Sequence, residues 1–373
     1  MPGPTVQTST NDITALFKDD PLLEYWDRPV SELAVIPPSK FTDGQAERHR
    51  IFSLALMSIM EFYWNGNRNG MEGKYPWREQ QKWPGRDGLY LAKPPEPGKP
   101  VKPPGQYRGH NIGCIAVDGD GEIIDFEFNH NAIFDSSAEH AESRMIRRLI
   151  SLTQITNKWN VSAEPQASVA AVESGIGGMA PAVTPVTPPP KYATAMPNVT
   201  IYTSLESCAQ CSGIMTLANV KEVVYLQRDY GTYRIGNFLY NLTHNKADGS
   251  PKPVAAPRPI PGSDFGLEEF EALNQGYIKF FENPEKTPFF NEKTSAAVAA
   301  YLCNDDSYNV FLQGKKRFDD LQLTYGDFKP NAVGLDRVGN LRKPCTNEVA
   351  LKHAREFVEY AIESGDRGTP HQS

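Results

Sequence analysis

The chain has 373 residues, 39% of them hydrophobic and 22% charged, with a formal net charge of −7. That length holds one large domain or two ordinary ones, and the composition fits a soluble globular protein. No apolar run reaches the length of a membrane span, and the net acidity does not by itself point to a nucleic-acid binder.

In chain order, residues 1–44 form a mixed N-terminal extension with Pro and Ser punctuation. Met1 to Asp20 lacks the basic start and apolar core of a secretory signal, so none is expected. Five cysteines is an odd number, and Cys114, Cys303 and Cys345 stand alone. A disulfide framework is therefore not expected, and a reducing cytoplasm fits. Gln45 to Trp64 carries Ile51, Phe52, Leu54, Leu56, Ile59 and Phe62 at mostly helical spacing. The apolar residues wrap more than one face, which predicts a buried helix; His49 reads as a structural residue on it.

Residues 66–109 interrupt this pattern. They are dense in Gly and Pro and read as a long loop. Nine basic residues, among them Lys74, Arg78, Lys82 and Arg86, face four acidic ones. Tyr75, Trp77, Trp83, Tyr90 and Tyr107 are interleaved with them. Basic groups pair with phosphates and aromatic faces stack on bases, so the loop is a candidate nucleic-acid surface. The alternative is a solvated loop whose aromatics pin it to the core.

His110 to Asp118 and Glu122 to Phe128 read as two strands around the turn Gly119-Asp120-Gly121. Ser136 and Glu139 stand at capping-box spacing, which predicts a helix through His140 and Glu142 to about Lys158. Its stripe of Met145, Leu149, Leu152 and Ile155 should pack on a sheet. Arg144, Arg147 and Arg148 are expected to be solvated or ion-paired. Residues 161–197, rich in Ala, Val, Pro, Ser and Thr, have no periodicity and read as a flexible insertion. Val199 to Thr203 reads as a strand, Ser212 to Asn219 as a short helix and Glu222 to Leu226 as another strand. His244 to Pro261 reads as a Pro-rich connection. Asp264 to Glu282, Ser295 to Leu302 and Thr346 to Ile362 read as helices. The expected division is 1–44, a main domain over 45–245 with insertions at 66–109 and 161–197, and a helical extension over 246–373. The tail should cover the sheet or form a partner surface, and a homodimer stays open.

Two short stretches carry chemistry. His140-Ala141-Glu142 offers one imidazole and one carboxylate, and Cys208-Ala209-Gln210-Cys211 offers two thiols three residues apart. A catalytic zinc site takes three protein ligands and keeps one position open. His140, Cys208 and Cys211 make up such a set. Glu142 is the spare carboxylate, placed two residues from a ligand to move protons. Both stretches are expected at helix N-termini, where unpaired N–H groups and the helix dipole favour thiolates. The 68 residues between His140 and Cys208 are explained by the insertion, since long surface loops cost little extra entropy.

His-x-Glu followed by Cys-x-x-Cys resembles the signature of the zinc-dependent cytidine deaminase-like superfamily. Ser204-Leu205-Glu206-Ser207-Cys208-Ala209-Gln210-Cys211-Ser212-Gly213-Ile214-Met215, with Val220-Lys221-Glu222-Val223-Val224-Tyr225 after it, resembles the branch of tRNA adenosine, cytosine and guanine deaminases. That branch usually has Pro where this chain has Ser207. The resemblance implies a three-layer α/β/α fold around a mixed sheet, with a Zn2+ held by His140, Cys208 and Cys211. It implies Glu142 as general acid/base, Asn129 as a substrate contact, and the N–H groups of Ala141 and Cys208 as holders of the base carbonyl-side edge and the zinc hydroxide. Three function classes follow. One is a hydrolytic deaminase of adenine or cytosine within RNA or single-stranded DNA. The others are a deaminase of a free base, nucleoside or small heterocycle, and a non-catalytic protein on the same fold, which Glu142 argues against.

Overall fold

The computed structural model describes residues 39–64, 110–131, 136–150, 196, 198–230, 257–284, 296–331 and 343–366. The loop over 66–109, nearly all of 161–197, the expected helix end near Lys158 and the stretch after Tyr230 lie outside them. Five strands form one mixed sheet in the order β2-β1-β3-β4-β5. They are β1 (Gly113–Val117), β2 (Ile123–Phe128), β3 (Thr200–Thr203), β4 (Glu222–Tyr225) and β5 (Arg258–Pro261). β1 runs antiparallel to β2 and β3, while β3, β4 and β5 are mutually parallel.

The first helix, α1 (Asp43–Phe62), opens on a capping box in which Thr42 and Gln45 satisfy each other's backbone N–H. The hairpin between β1 and β2 turns at Gly121, whose φ of +95° is a conformation glycine adopts without strain. Asp118 Oδ1 accepts the N–H groups of Asp120, Gly121 and Glu122 and closes that turn.

Strand alternation then sorts the sheet into two faces. Ile115, Val117, Phe126, Phe128, Tyr202 and Val224 look toward α1. Cys114, Ala116, Ile201 and Val223 look the other way, toward the helix over 141–150 (α2) and α3 (Ala209–Leu217). Helices on both faces make the expected three layers.

The C-terminal part holds α4 (Glu268–Glu282), α5 (Val298–Tyr301), α6 (Asp305–Asp319) and α7 (Asn347–Asp366). α6 and α7 both pack on α1, so α1 lies between them and the sheet. This explains why its apolar residues run all the way round: Ile51, Leu54, Ala55 and Met57 are each fully buried. Gly314 of α6 sits so close to α1 that a Cβ there would meet Met57 Sδ at 2.6 Å. The tail therefore covers α1 more than it covers the sheet.

Three expectations are corrected. The end of the Pro-rich connection is β5, an outer strand of the described sheet, where the missing N–H groups of Pro259 and Pro261 cost little. α6 was not expected from its charge-rich sequence; Asn304 caps it by accepting the Ser307 N–H. The helix expected from Asp264 starts only at Glu268, and Asp264 does not belong to it. Asp264 lies in one turn of 3₁₀ helix (Gly262–Phe265), and its carboxylate accepts the Ser39 N–H. Among the described residues, no helix is long and apolar enough to cross a membrane.

Candidate active site

α2 begins at residue 141, with the His140 carbonyl accepting the Arg144 N–H at 3.0 Å. α3 begins at Ala209, with Cys208 at its N-cap. Both half-sites thus lie at helix N-termini on the same face of the sheet. The capping box expected from Ser136 and Glu139 does not form. Ser136 Oγ accepts the Ala138 N–H, and Glu139 pairs with Arg144 and Arg147. The start of α2 is held from outside the helix, by Asn129 Oδ1 accepting the Ala141 N–H at 2.8 Å.

The 68-residue separation closes to contact. Cys208 Sγ lies 3.3 Å from His140 Nδ1, Cys211 Sγ 3.5 Å from the same nitrogen, and the two sulfurs are 3.6 Å apart. These three are the candidate metal-binding group among the described residues. A tetrahedral zinc with bonds of about 2.0–2.3 Å needs donor separations of roughly 3.5–3.8 Å. The observed spacing and the N/S/S donor set fit that ion.

The local electrostatics follow from crowding. Hydrogen bonding from Cys211, and then from His140, holds the Cys208 thiol well below its usual range. The same bond to Cys208, together with burial, pushes Cys211 up. Hydrogen bonding to Cys208 raises His140. Burial, assisted by the nearby Cys208, raises Glu142, which is only 3% exposed.

Glu142 stands beside the donor set, with Oε2 3.3 Å from Cys211 Sγ. Its other oxygen accepts hydrogen bonds from Thr203 Oγ1 at 3.0 Å and Ser207 Oγ at 3.3 Å. Ser143 Oγ contacts Cys211 Sγ at 3.6 Å, and Gln210 Nε2 donates to Ser143 Oγ and to the Ala138 carbonyl. These partners were not expected. Thr203 was foreseeable only as a strand residue. Its parity with Ile201 puts it on the α2 face, and that parity becomes informative once the sheet is known.

Further out, an ion-pair network ties α2 to β2. Arg148 bridges Asp125 and Glu127, and Arg144 reaches Glu127 and Glu139. Glu127 is almost fully buried, and burial raises its carboxyl despite the two arginines. His110, at the approach to β1, is lowered to about 4 by burial and then by the neighbouring charge of His140.

Residues 102–227 match the protein family described as the cytidine and deoxycytidylate deaminase zinc-binding region. This third of the chain holds every residue of the constellation, so the match to the deaminase zinc-binding region falls on the site itself. Among solved structures, one match comes from a study entitled "Biochemical and Structural Studies of A-to-I Editing by tRNA:A34 Deaminases at the Wobble Position of Transfer RNA". It is 17% identical, covers 42% of this chain and 82% of that chain, and has a TM-score of 0.23. No curated protein matches the chain.

Proposed function

We propose that the chain is a zinc-dependent hydrolytic deaminase that replaces the exocyclic amine of adenine or cytosine by oxygen, within RNA or single-stranded DNA. The observation that carries the enzyme reading is the buried carboxylate of Glu142 beside a complete His/Cys/Cys set. A purely structural zinc site has no use for a desolvated acid beside its sulfurs.

His140, Cys208 and Cys211 would hold the ion. Zinc bound there supplies Lewis-acid activation of a water at neutral pH. Glu142 accepts the proton of that water on Oε2 and delivers it to the ring nitrogen of the base. A second transfer through the same oxygen lets the amine leave as ammonia. Water and amine are consumed, ammonia and a ring carbonyl are formed, and the carboxylate ends as it began. The raised pKa of buried Glu142 suits a group that must both take and give a proton. Asn129 and Ala141 are proposed as substrate contacts. A base that takes the Ala141 N–H has to replace the bond which Asn129 now makes to it.

Nucleic acid is preferred as substrate because of the basic and aromatic residues in 66–109. The net charge of −7 favours the second reading, a free base or nucleoside. A panel of mixed RNA and DNA oligonucleotides, adenosine, cytidine and the free bases, assayed for ammonia, inosine and uracil, decides between them. In parallel, Lys74, Arg78, Lys82 and Arg86 are replaced together. The proposal expects oligonucleotide binding to lose salt dependence, by a log–log slope of roughly 0.7 per phosphate contact removed. Turnover of a nucleoside should stay unchanged. Equal loss on both substrates makes the loop structural and supports the small-molecule reading. Cys208→Ser and Cys211→Ser should each lose the metal, and full zinc occupancy in both variants overturns the ligand assignment.

A further inference from the structure

We infer that Thr203 and Ser207 are a pair of positioning residues that fix the working orientation of Glu142. The inference rests on the deaminase reading for its kinetic consequence, but not for its geometry. Both hydroxyls donate to the same carboxylate oxygen, Thr203 Oγ1 at 3.0 Å and Ser207 Oγ at 3.3 Å. The other oxygen, Oε2, is thereby turned toward Cys211 and the donor set. The division of labour is spatial, with Oε1 held and Oε2 left to exchange protons.

The three groups come from α2, from the end of β3 and from the short segment that joins β3 to α3. Glu142 rides on α2. Thr203 is the last residue of β3, registered against Cys114 on one side and Tyr225 on the other. Ser207 directly precedes the ligand Cys208 and is itself 3% exposed. A carboxylate on a flexible stem is thus fixed from the end of β3 and from the segment that leads into the N-cap of α3. Side chains held on rigid elements give a reacting group the narrow orientation that proton transfer needs. Burial raises the stakes, because each hydroxyl left without a partner there would also carry a desolvation cost.

The Ser207 contact depends on a hydroxyl at this position. Pro, usual at that position in the resembled pattern, has no hydroxyl to donate.

The test compares the apolar variants Thr203→Val and Ser207→Ala, singly and combined, with the conservative variants Thr203→Ser and Ser207→Thr. All are prepared as the full chain with zinc. Zinc content by elemental analysis should stay equal to that of the parent. Crystal structures of the zinc-loaded double variant should show Glu142 leaving its position or spreading over several conformers. On the substrate of the panel that the parent turns over, kcat should fall roughly 10–100-fold in the double variant with KM little changed. The conservative variants should keep most of kcat. The inference is overturned if Glu142 holds the same position in the double variant. It is equally overturned if zinc is lost, or if the hydroxyl-bearing variants fall as far as the apolar ones. If the parent releases no ammonia from any substrate of the panel, the deaminase reading fails. The position of Glu142 in the crystals then still decides the inference.

Discussion

The two faces of the sheet are built by opposite rules. Toward α1 the strands present large side chains, Phe126, Phe128, Tyr202 and Ile115, packed on Phe52 and Tyr63. Toward α2 and α3 the same strands present Cys114, Ala116, Thr203 and Glu127. One face fills space and is sealed by α6 and α7 behind α1. The other mixes Ile201 and Val223 with these small and polar side chains, and there two helix N-termini approach each other and bring the candidate donor set beside a buried carboxylate. Stability and chemistry are thus divided across a sheet one residue thick, by the parity of the strands alone. Changes on the two faces should therefore read out in different experiments.

The largest effect is expected at Glu142. Glu142→Ala should retain zinc and fold while losing on the order of 10²–10⁴-fold in turnover, toward the upper end because the proposed mechanism routes several transfers through this one group. Near-normal turnover in a zinc-loaded variant would mean that another residue moves the protons.

On the packing face, Phe311 is fully buried between α6 and α1 and beside Trp64. Phe311→Ala should cost about 3–5 kcal/mol in denaturant unfolding while zinc stoichiometry stays unchanged. Loss of zinc at unchanged stability would show that the two faces are not independent.

Arg148 is intermediate, since it belongs to the site face but has no part in the proposed proton transfers. Its guanidinium pairs with Asp125 and with the buried Glu127, and it also donates to the Phe126 carbonyl. Arg148→Met leaves those acceptors desolvated, at a cost of about 3 kcal/mol. Thermal unfolding measures it, and a change below about 0.5 kcal/mol would place the network among surface pairs of little worth.

The smallest expected effect is one of pH on the packing face. The His49 ring lies among Phe41, Tyr202 and Phe265, with Nδ1 2.9 Å from Tyr202 Oη. Burial lowers it from 6.5 to about 4. Between those values the unfolded chain binds a proton that the folded chain refuses. Its contribution is complete above pH 6.5 and is lost as the pH falls toward 4, by at most about 3 kcal/mol. His49→Gln should flatten the fall in unfolding free energy over that window. An unchanged slope would assign the acid sensitivity to other groups.

Much of the site was legible because its information is local. His140 with Glu142, and Cys208 with Cys211, are each fixed by spacing of two or three residues, and the helix start that aims them is local too. The short β-branched and apolar runs that make β1 to β4 strands are equally local, and so is the all-round apolar pattern that buries α1. The sequence thus determined which residues make up the candidate donor set and the carboxylate beside it, and the layered class of fold. It did not show β5, because two prolines in four residues argue against a strand unless its place at the edge of the sheet is known. It did not show α6, whose Phe311, Gly314 and Phe318 make sense only against α1. Nor did it show Thr203 and Ser207 as partners of Glu142, or Asn129 as the residue that holds the start of α2. Each of those contacts joins residues 12 to 65 positions apart. Contacts at that range are set by strand register and helix placement, and these emerge only when the whole core packs.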